Sequence, residues 1–477
     1  MNSLFIFRRD LRLDDNTGLI KACNESSQVY SIFIINQLQV SNKNSYKSEN
    51  AIQFMHESLK ELKDLTDNKI SFFLADDSKN IETKIIIDLV KKLKIDKVYS
   101  NKDYTPYARK RDNEIKDVLD KEKDNPEFIS IEDYTLTGLD EIKTNSDTFY
   151  TKYTPYKNKA KLIKVNEPVS FTKGMKNKLM KISSSTSASI SQSIDVDILE
   201  EKYYDKNVNL NVNGGRSLGM KILENSKKFK DYVENRNLLT YKTTFLSAYI
   251  KFGCVSLREV YYYFKKTIDN KSAFFDELYW HDFYAQAISH NNKVLEGKSM
   301  DERFDKIQWT GTRELFNKWC RGETGFPVVD AAMKQINTTG YMHNRARMIV
   351  ASFLVKILMC NWRWGEKYFA QKLVDYDPSS NVGGWLWSAG GGFDSQPYFR
   401  IFNPWTQSLK FDPNAEYIKK WLPQLNPIPP KDIHNWSETY SQYIGNTSSN
   451  DKIKYFKPCV DYTANRNKTL EIYKKYL

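Results

Sequence analysis

A chain of 477 residues exceeds what one hydrophobic core ordinarily supports, so two or more domains are expected. Hydrophobic residues at 40% and charged residues at 27% are ordinary soluble proportions, aromatic content at 14% is high, and a formal net charge of +13 fits either a polyanionic partner or a genome biased towards Lys and Asn. Five scattered cysteines (Cys23, Cys254, Cys320, Cys360, Cys459) exclude a disulfide framework and a zinc site by their spacing and point to a reducing compartment. MNSLFIFRRD lacks the apolar length of a secretory signal, and the best apolar run, Met348 to Cys360, contains Lys356 and is too short to span a bilayer. The expectation is a soluble intracellular monomer, cytoplasmic or nuclear, with no membrane partner.

In chain order, Leu4 to Phe7, Val29 to Ile35, Ile70 to Leu74 and Val98 to Ser100 are short β-branched apolar runs separated by amphipathic stretches, which predicts a parallel α/β sheet. No GxGxxG follows the first strand, so the usual phosphate-loop argument gives this domain no dinucleotide. From Asp133 to Tyr204 the periodicity weakens; Lys173, Lys176, Lys178 and Lys181 precede SSSTSASISQS, and the stretch is taken as a connector whose lysines are solvated. After Gly214 the chain turns helical, with Leu278 to Ser289, Val328 to Ile336 and Arg345 to Leu358 at helical spacing. The fold class is therefore α/β plus all-α: a Rossmann-like parallel-sheet domain over 1–132, a linker over 133–213, and a helical domain over 214–477.

Thr243-Thr244-Phe245-Leu246-Ser247, with Gly253 and Ser256 close behind, sets small hydroxyls at a helix start, where free backbone N–H groups hold phosphates. Helix capping accounts for one of those hydroxyls without any ligand. Stronger signals are FRRDLRLDDN (Phe7 to Asn16), DELYWHDFY (Asp276 to Tyr284), the segment Gly325 to Lys356 containing MHNRARM, and the segment Asp375 to Gln407 beginning DYDPSSN. Together, in this order, they resemble the photolyase/cryptochrome family from Phe7 to about Tyr473, and among its branches the class I cyclobutane pyrimidine dimer photolyases.

The resemblance implies an N-terminal domain able to hold an antenna chromophore and a C-terminal helical domain holding a U-shaped FAD beneath a DNA-facing cavity. Carried over position by position, Tyr232, Thr243, Thr244, Phe245, Leu246 and Ser247 bind the FAD phosphates and ribityl chain, and Asn344, Arg347, Asp375, Tyr376 and Asp377 surround the isoalloxazine. Arg347 is expected to pair with Asp375, since a buried charge requires a partner. Asn381 falls where photolyases place an Asn beside flavin N5, a position filled by Asp or Cys in plant and animal cryptochromes; a neutral amide there favours the reduced flavin. Trp385, Trp362 and Trp309 match the family's electron-carrying tryptophans.

Glu277 matches the carboxyl that hydrogen-bonds the dimer, Trp280 and Trp387 match its stacking walls, and Asn344 and Met348 occupy the places that (6-4) photolyases fill with proton-donating histidines. Arg236, Arg345, Arg400 and Gln407 match contacts to the phosphates flanking a flipped lesion in ultraviolet-damaged DNA. His281 departs from the family's usual Arg. NKDYTPYARKRD (Asn101 to Asp112) lacks the Glu of folate-binding relatives, so the antenna is a deazaflavin, a second flavin or none. The reading is a photolyase for cyclobutane dimers; a (6-4) photolyase and a cryptochrome photoreceptor remain alternatives, the latter opposed by Asn381, Glu277 and the lack of a C-terminal tail.

Overall fold

A computed structural model describes residues 1–477 except 79, 123, 125, 269–272 and 445–452. The early apolar runs become the first four strands of a seven-stranded sheet: β1 (Asn2–Phe7), β2 (Gln28–Asn36), β3 (Ser71–Ala75), β4 (Lys97–Asn101), β5 (Glu127–Ile131), β6 (Leu179–Met180) and β7 (Ser193–Ile194). The order is β5-β4-β1-β2-β3-β7; β6 lies beside the start of β2, and only β7 runs antiparallel to its neighbour. Register places Ile6 opposite Ile32 and Phe33 opposite Phe72. Leu4, Phe5, Ile6 and Phe7 are all buried, as expected of a parallel strand covered on both faces by its crossover helices. The helix Ile81–Leu93 adds Ile85, Ile86 and Leu89 to that core.

The weakly periodic stretch over 133–213 contributes β6 and β7, two residues each, too short to leave a period of two. β5 (EFISI) is a half-exposed edge strand with one charged end, which is why no apolar run announces it.

The described chain forms two compact units, one of Met1–Asn207, Val212–Lys230 and Thr244–Asn292, the other of Val208–Asn211, Asp231–Thr243 and Lys293–Leu477. In the first, FRRDLRLDDN leaves β1 and enters a buried charge network. Arg12 meets Asp133 at 2.6 Å, and Arg258 meets both Asp15 and Asp133 at 2.9 Å, so each charge has the partner its burial demands. Gly253 closes against this loop with φ of +65°, and a Cβ there would strike the Arg9 carbonyl, so only glycine fits.

The second unit is helical, and its helices begin on sequence-encoded caps: Thr312, Asn361, Asp377 and Asn403 each accept a backbone N–H from the first turn. The apolar run from Arg345 to Leu358 is one predicted helix but two structural pieces, an α-helix Asn344–Ser352 and a π turn Phe353–Ile357. Periodicity cannot reveal that change, because one extra residue per turn leaves the run equally apolar. Among the described residues, no helix is long and apolar enough to cross a membrane.

Candidate active site

In the helical unit the site is built from three helix beginnings. Asn344 opens the helix Asn344–Ser352 and is exposed, with Met348 one turn later and half-buried on the same face. His343 caps this helix, its Nδ1 accepting the Arg345 N–H at 3.1 Å. That bond fixes Nε2 as the protonated nitrogen, and Nε2 is buried without a partner. Burial, followed by the charges of Arg345 and Arg347, lowers the His343 pKa to about 4.

Arg347 turns inward and meets Asp375 through Nη2 at 2.8 and 3.1 Å, while its Nε donates to the Met342 carbonyl at 2.8 Å. Burial opposes the guanidinium charge, but Asp375 holds Arg347 above its ordinary value. The expected pair is thus present. Tyr376 follows, half-buried. Asp377 caps the helix Pro378–Ala389, its Oδ1 accepting from the Ser380 N–H at 3.0 Å and the Ser379 hydroxyl at 2.6 Å. Capping alone accounts for an acid at this position.

On that helix, Asn381 donates through Nδ2 to the Glu366 carbonyl at 3.0 Å and to Glu366 Oε1 at 2.8 Å. With both amide hydrogens committed, Oδ1 is the acceptor the side chain has left. One turn later, on the same face, Gly384 borders open space: a Cβ built there meets nothing within 4 Å. Trp385 is buried, and Trp387 half-buried. Trp362 is buried with Arg363 over its ring at 4.9 Å, and Trp309 packs on the cluster of Ile307, Met359 and Tyr473.

The predicted cationic residues of this unit cluster in part. Arg345 donates to Asn237 Oδ1 at 2.6 Å and lies 4.5 Å from the Phe411 ring centroid. Burial first, then the neighbouring charge of Arg236, push the Arg345 pKa down, and an anion arriving there offsets the repulsion between the two guanidinium groups. The Gln407 Oε1 on the helix Pro404–Phe411 is buried without a partner. Arg400 is exposed, tied to Gln396 at 2.9 Å. Tyr232 opens the short helix Tyr232–Asn235, and Thr243 shares a hydrogen bond with the Tyr341 hydroxyl at 3.1 Å.

The other predicted residues lie in the sheet-bearing unit. Phe245 takes a left-handed conformation at φ of +56°, Leu246 is buried with its N–H directed to Thr244 Oγ1 at 3.4 Å, and the exposed Ser247 begins the helix Ser247–Lys251. Ser256, by contrast, spends its hydroxyl in a capping box with Glu259. Glu277, Trp280 and His281 lie on the helix Ala273–Ser289. One face of Trp280 stacks on Tyr153 at 3.6 Å and 9°. His281 packs against Tyr134 at 4.6 Å with Nδ1 3.4 Å from Asp282.

Sequence reasoning missed Glu366, which orients Asn381, and Tyr153, which backs Trp280. Glu366 lies one turn after Trp362 on an amphipathic helix, a weak signal; Tyr153 comes from the stretch without periodicity and had none.

Residues 3–171 match the family model for DNA photolyase, and residues 274–475 match the FAD binding domain of DNA photolyase. A deoxyribodipyrimidine photo-lyase of Buchnera aphidicola subsp. Acyrthosiphon pisum is 33% identical, over 99% of this chain and 97% of the relative. The archaeal photolyase of Sulfolobus tokodaii, solved with two FAD molecules, superposes with a TM-score of 0.84 at 36% identity, covering 100% of both chains. The bacterial class III photolyase of Agrobacterium tumefaciens gives a TM-score of 0.86 at 28% identity, over 100% of this chain and 97% of that one. The chain therefore belongs to the DNA photolyase family of enzymes, and its C-terminal part is that family's FAD-binding domain.

Proposed function

We propose that the protein repairs cyclobutane pyrimidine dimers in ultraviolet-damaged DNA. The observation that carries the repair reading over a photoreceptor is Asn381, whose amide is locked by Glu366 with its oxygen left to accept. A hydrogen-bond acceptor at that place stabilises a protonated N5, the state of a reduced flavin, and an Asp would repel electron gain. The residues fit such a group: Gly384 leaves open space on the Asn381 face, and the Arg347–Asp375 pair holds two polar side chains fixed in the same unit.

When bound, FAD would supply light-driven one-electron chemistry to the dimer. The chain's own residues do the rest. Arg347 and Asp375 bind and orient, and Asn381 holds the N5 proton. Tyr232, Thr243, Thr244 and Ser247 offer hydroxyls, and Phe245 and Leu246 backbone, to phosphates and ribityl. Glu277 hydrogen-bonds the dimer, Trp280 and Trp387 stack on it, and Asn344 and Met348 leave no base for (6-4) chemistry. Arg236, Arg345, Arg400 and Gln407 contact the flanking phosphates. In this reading the antenna-type domain spans 1–132, the connector 133–213 and the catalytic domain 214–477. An antenna, if bound, is a flavin or deazaflavin in the N-terminal domain.

The test is light-dependent repair of two oligonucleotides, one with a single cyclobutane thymine dimer and one with a single (6-4) product, using protein reduced beforehand. Repair of the first alone is expected. Repair of the second alone would overturn the argument from Asn344 and Met348, and repair of neither with FAD bound would make the protein a photoreceptor.

A further inference from the structure

A helix from the weakly periodic stretch meets one residue of the helix Ala273–Ser289 three times. The helix Tyr153–Ala160 and the Lys161 that follows it carry Tyr153, Lys157 and Lys161 at intervals of four, so successive ones lie one above the other. All three end on Asp276. The Tyr153 hydroxyl donates to its backbone carbonyl at 2.6 Å, and the Lys157 and Lys161 ammonium groups reach Oδ2 and Oδ1, each at 2.9 Å. In an α-helix that carbonyl is also the acceptor for the N–H four residues on, which is that of Trp280. Tyr153 is buried, and its ring lies flat on the Trp280 indole at 3.6 Å and 9°, with Phe283 edge-on to both. Trp280 stays half-buried, which leaves ring surface for a ligand.

We propose that Tyr153 and Asp276 are positioning residues for Trp280: they hold its indole in one orientation before DNA arrives, and thereby set how strongly the protein prefers a flipped pyrimidine dimer to intact duplex. This rests on the reading in which Trp280 stacks on the dimer. A half-buried Trp can change rotamer, and a ring that must be ordered on binding costs affinity. Here the ordering is done in advance. The stack fixes the plane of the indole, and the hydroxyl bond ties Tyr153 to the backbone turn that carries Trp280. Asp276 is the anchor because it takes all three contacts. Ion pairs at partly exposed places contribute little stability by themselves, but these two fix the helix Tyr153–Ala160 against that turn, and with it the ring of Tyr153. The gain belongs to the lesion alone, since intact duplex keeps its bases stacked inside and offers the indole no flipped ring.

The experiment uses the full-length FAD-loaded protein in the dark and measures, by fluorescence anisotropy, binding to two labelled duplexes of one sequence, one with a single cyclobutane thymine dimer and one intact. Tyr153→Leu should lower affinity for the dimer duplex about three- to tenfold and leave the intact duplex unchanged, with repair per absorbed photon at saturating dimer duplex within about twofold of the parent. Tyr153→Phe keeps the ring and should recover most of that loss. Asp276→Asn releases both lysines, so binding to both duplexes should tighten while the ratio between them falls about two- to threefold. In a Trp280→Ala background Tyr153→Leu should cost nothing further, because a residue that acts through the indole has nothing left to hold. Asp276→Asn, at a half-buried site, carries the test if Tyr153→Leu fails to retain FAD. The positioning role is overturned if Tyr153→Leu weakens both duplexes alike, if the ratio is unmoved, or if the loss is the same with and without Trp280. A parent that shows no preference for the dimer duplex overturns the stacking role of Trp280 and this role with it; the parent titration alone separates that outcome from the others.

Discussion

Asn381 gives both amide hydrogens to Glu366, to the backbone carbonyl at 3.0 Å and to Oε1 at 2.8 Å. A carboxylate one helix away thus decides which end of a neutral side chain is available to a ligand. Asn381→Asp puts a second carboxylate against Glu366 and removes the donor that fixes the oxygen. Photoreduction of the bound flavin should then stop after one electron, the second being slower by about tenfold or more. Absorbance under continuous light with thiol measures this, and complete bleaching at the parent rate would refute the role.

Glu277→Gln keeps the shape of the side chain and loses the charge. Light-driven repair per absorbed photon should fall by roughly three- to tenfold, the worth of one charge-assisted hydrogen bond, while dark binding of lesion DNA changes less. Equal losses in binding and repair would reassign Glu277 to recognition alone.

Arg347→Met takes a bidentate guanidinium contact away from the buried Asp375. The expected loss of stability is about 2–3 kcal/mol, read from urea midpoints, with release of FAD on gel filtration. Asp375→Asn paired with Arg347→Met should recover part of the stability and none of the flavin.

His343 supplies a pH signature. Its folded pKa is lowered to about 4 from an ordinary 6.5, so its contribution to stability is complete above pH 6.5 and is lost as pH falls towards 4. The loss approaches about 3 kcal/mol, since the unfolded chain gains a proton that the folded chain refuses. His343→Gln should flatten the fall in urea midpoint between pH 6.5 and 4; an unchanged slope would place the acid sensitivity elsewhere.

Arg345→Ala should weaken binding to damaged and undamaged duplexes alike and lower the salt slope of log K by about one, as expected for one lost phosphate contact. A lesion-specific loss without a change of slope would move Arg345 from the backbone to the base.

Much of this architecture is legible in the sequence because it is local. The first four strands lie on apolar runs, the helix beginnings are Thr, Asn and Asp caps, and the Arg347–Asp375 pair follows from the rule that buried charges have partners. What stays hidden depends on tertiary contact. The approach of Trp319 to Trp385 joins residues far apart in sequence by ring edges that no spacing announces. Tyr153 reaches Trp280 from a stretch whose pattern reads as loop, and β6 and β7 are too short to show any period. The orientation of Asn381 is set by Glu366, which is invisible until the two helices are packed.

The π turn Phe353–Ile357 makes the chain one residue longer here than an unbroken α-helix would be. Such a turn behaves as a single-residue insertion that the fold has absorbed without lengthening the rod. Deleting one residue from it would restore regular α-helical bonding and leave the flanking segments in place, so the change falls on the side chains of the turn itself. Lys356, wholly buried with its ammonium on the Tyr398 carbonyl, is one of them. The extra residue thus makes room for a buried cation without turning the helix that carries Asn344, Arg347 and Met348.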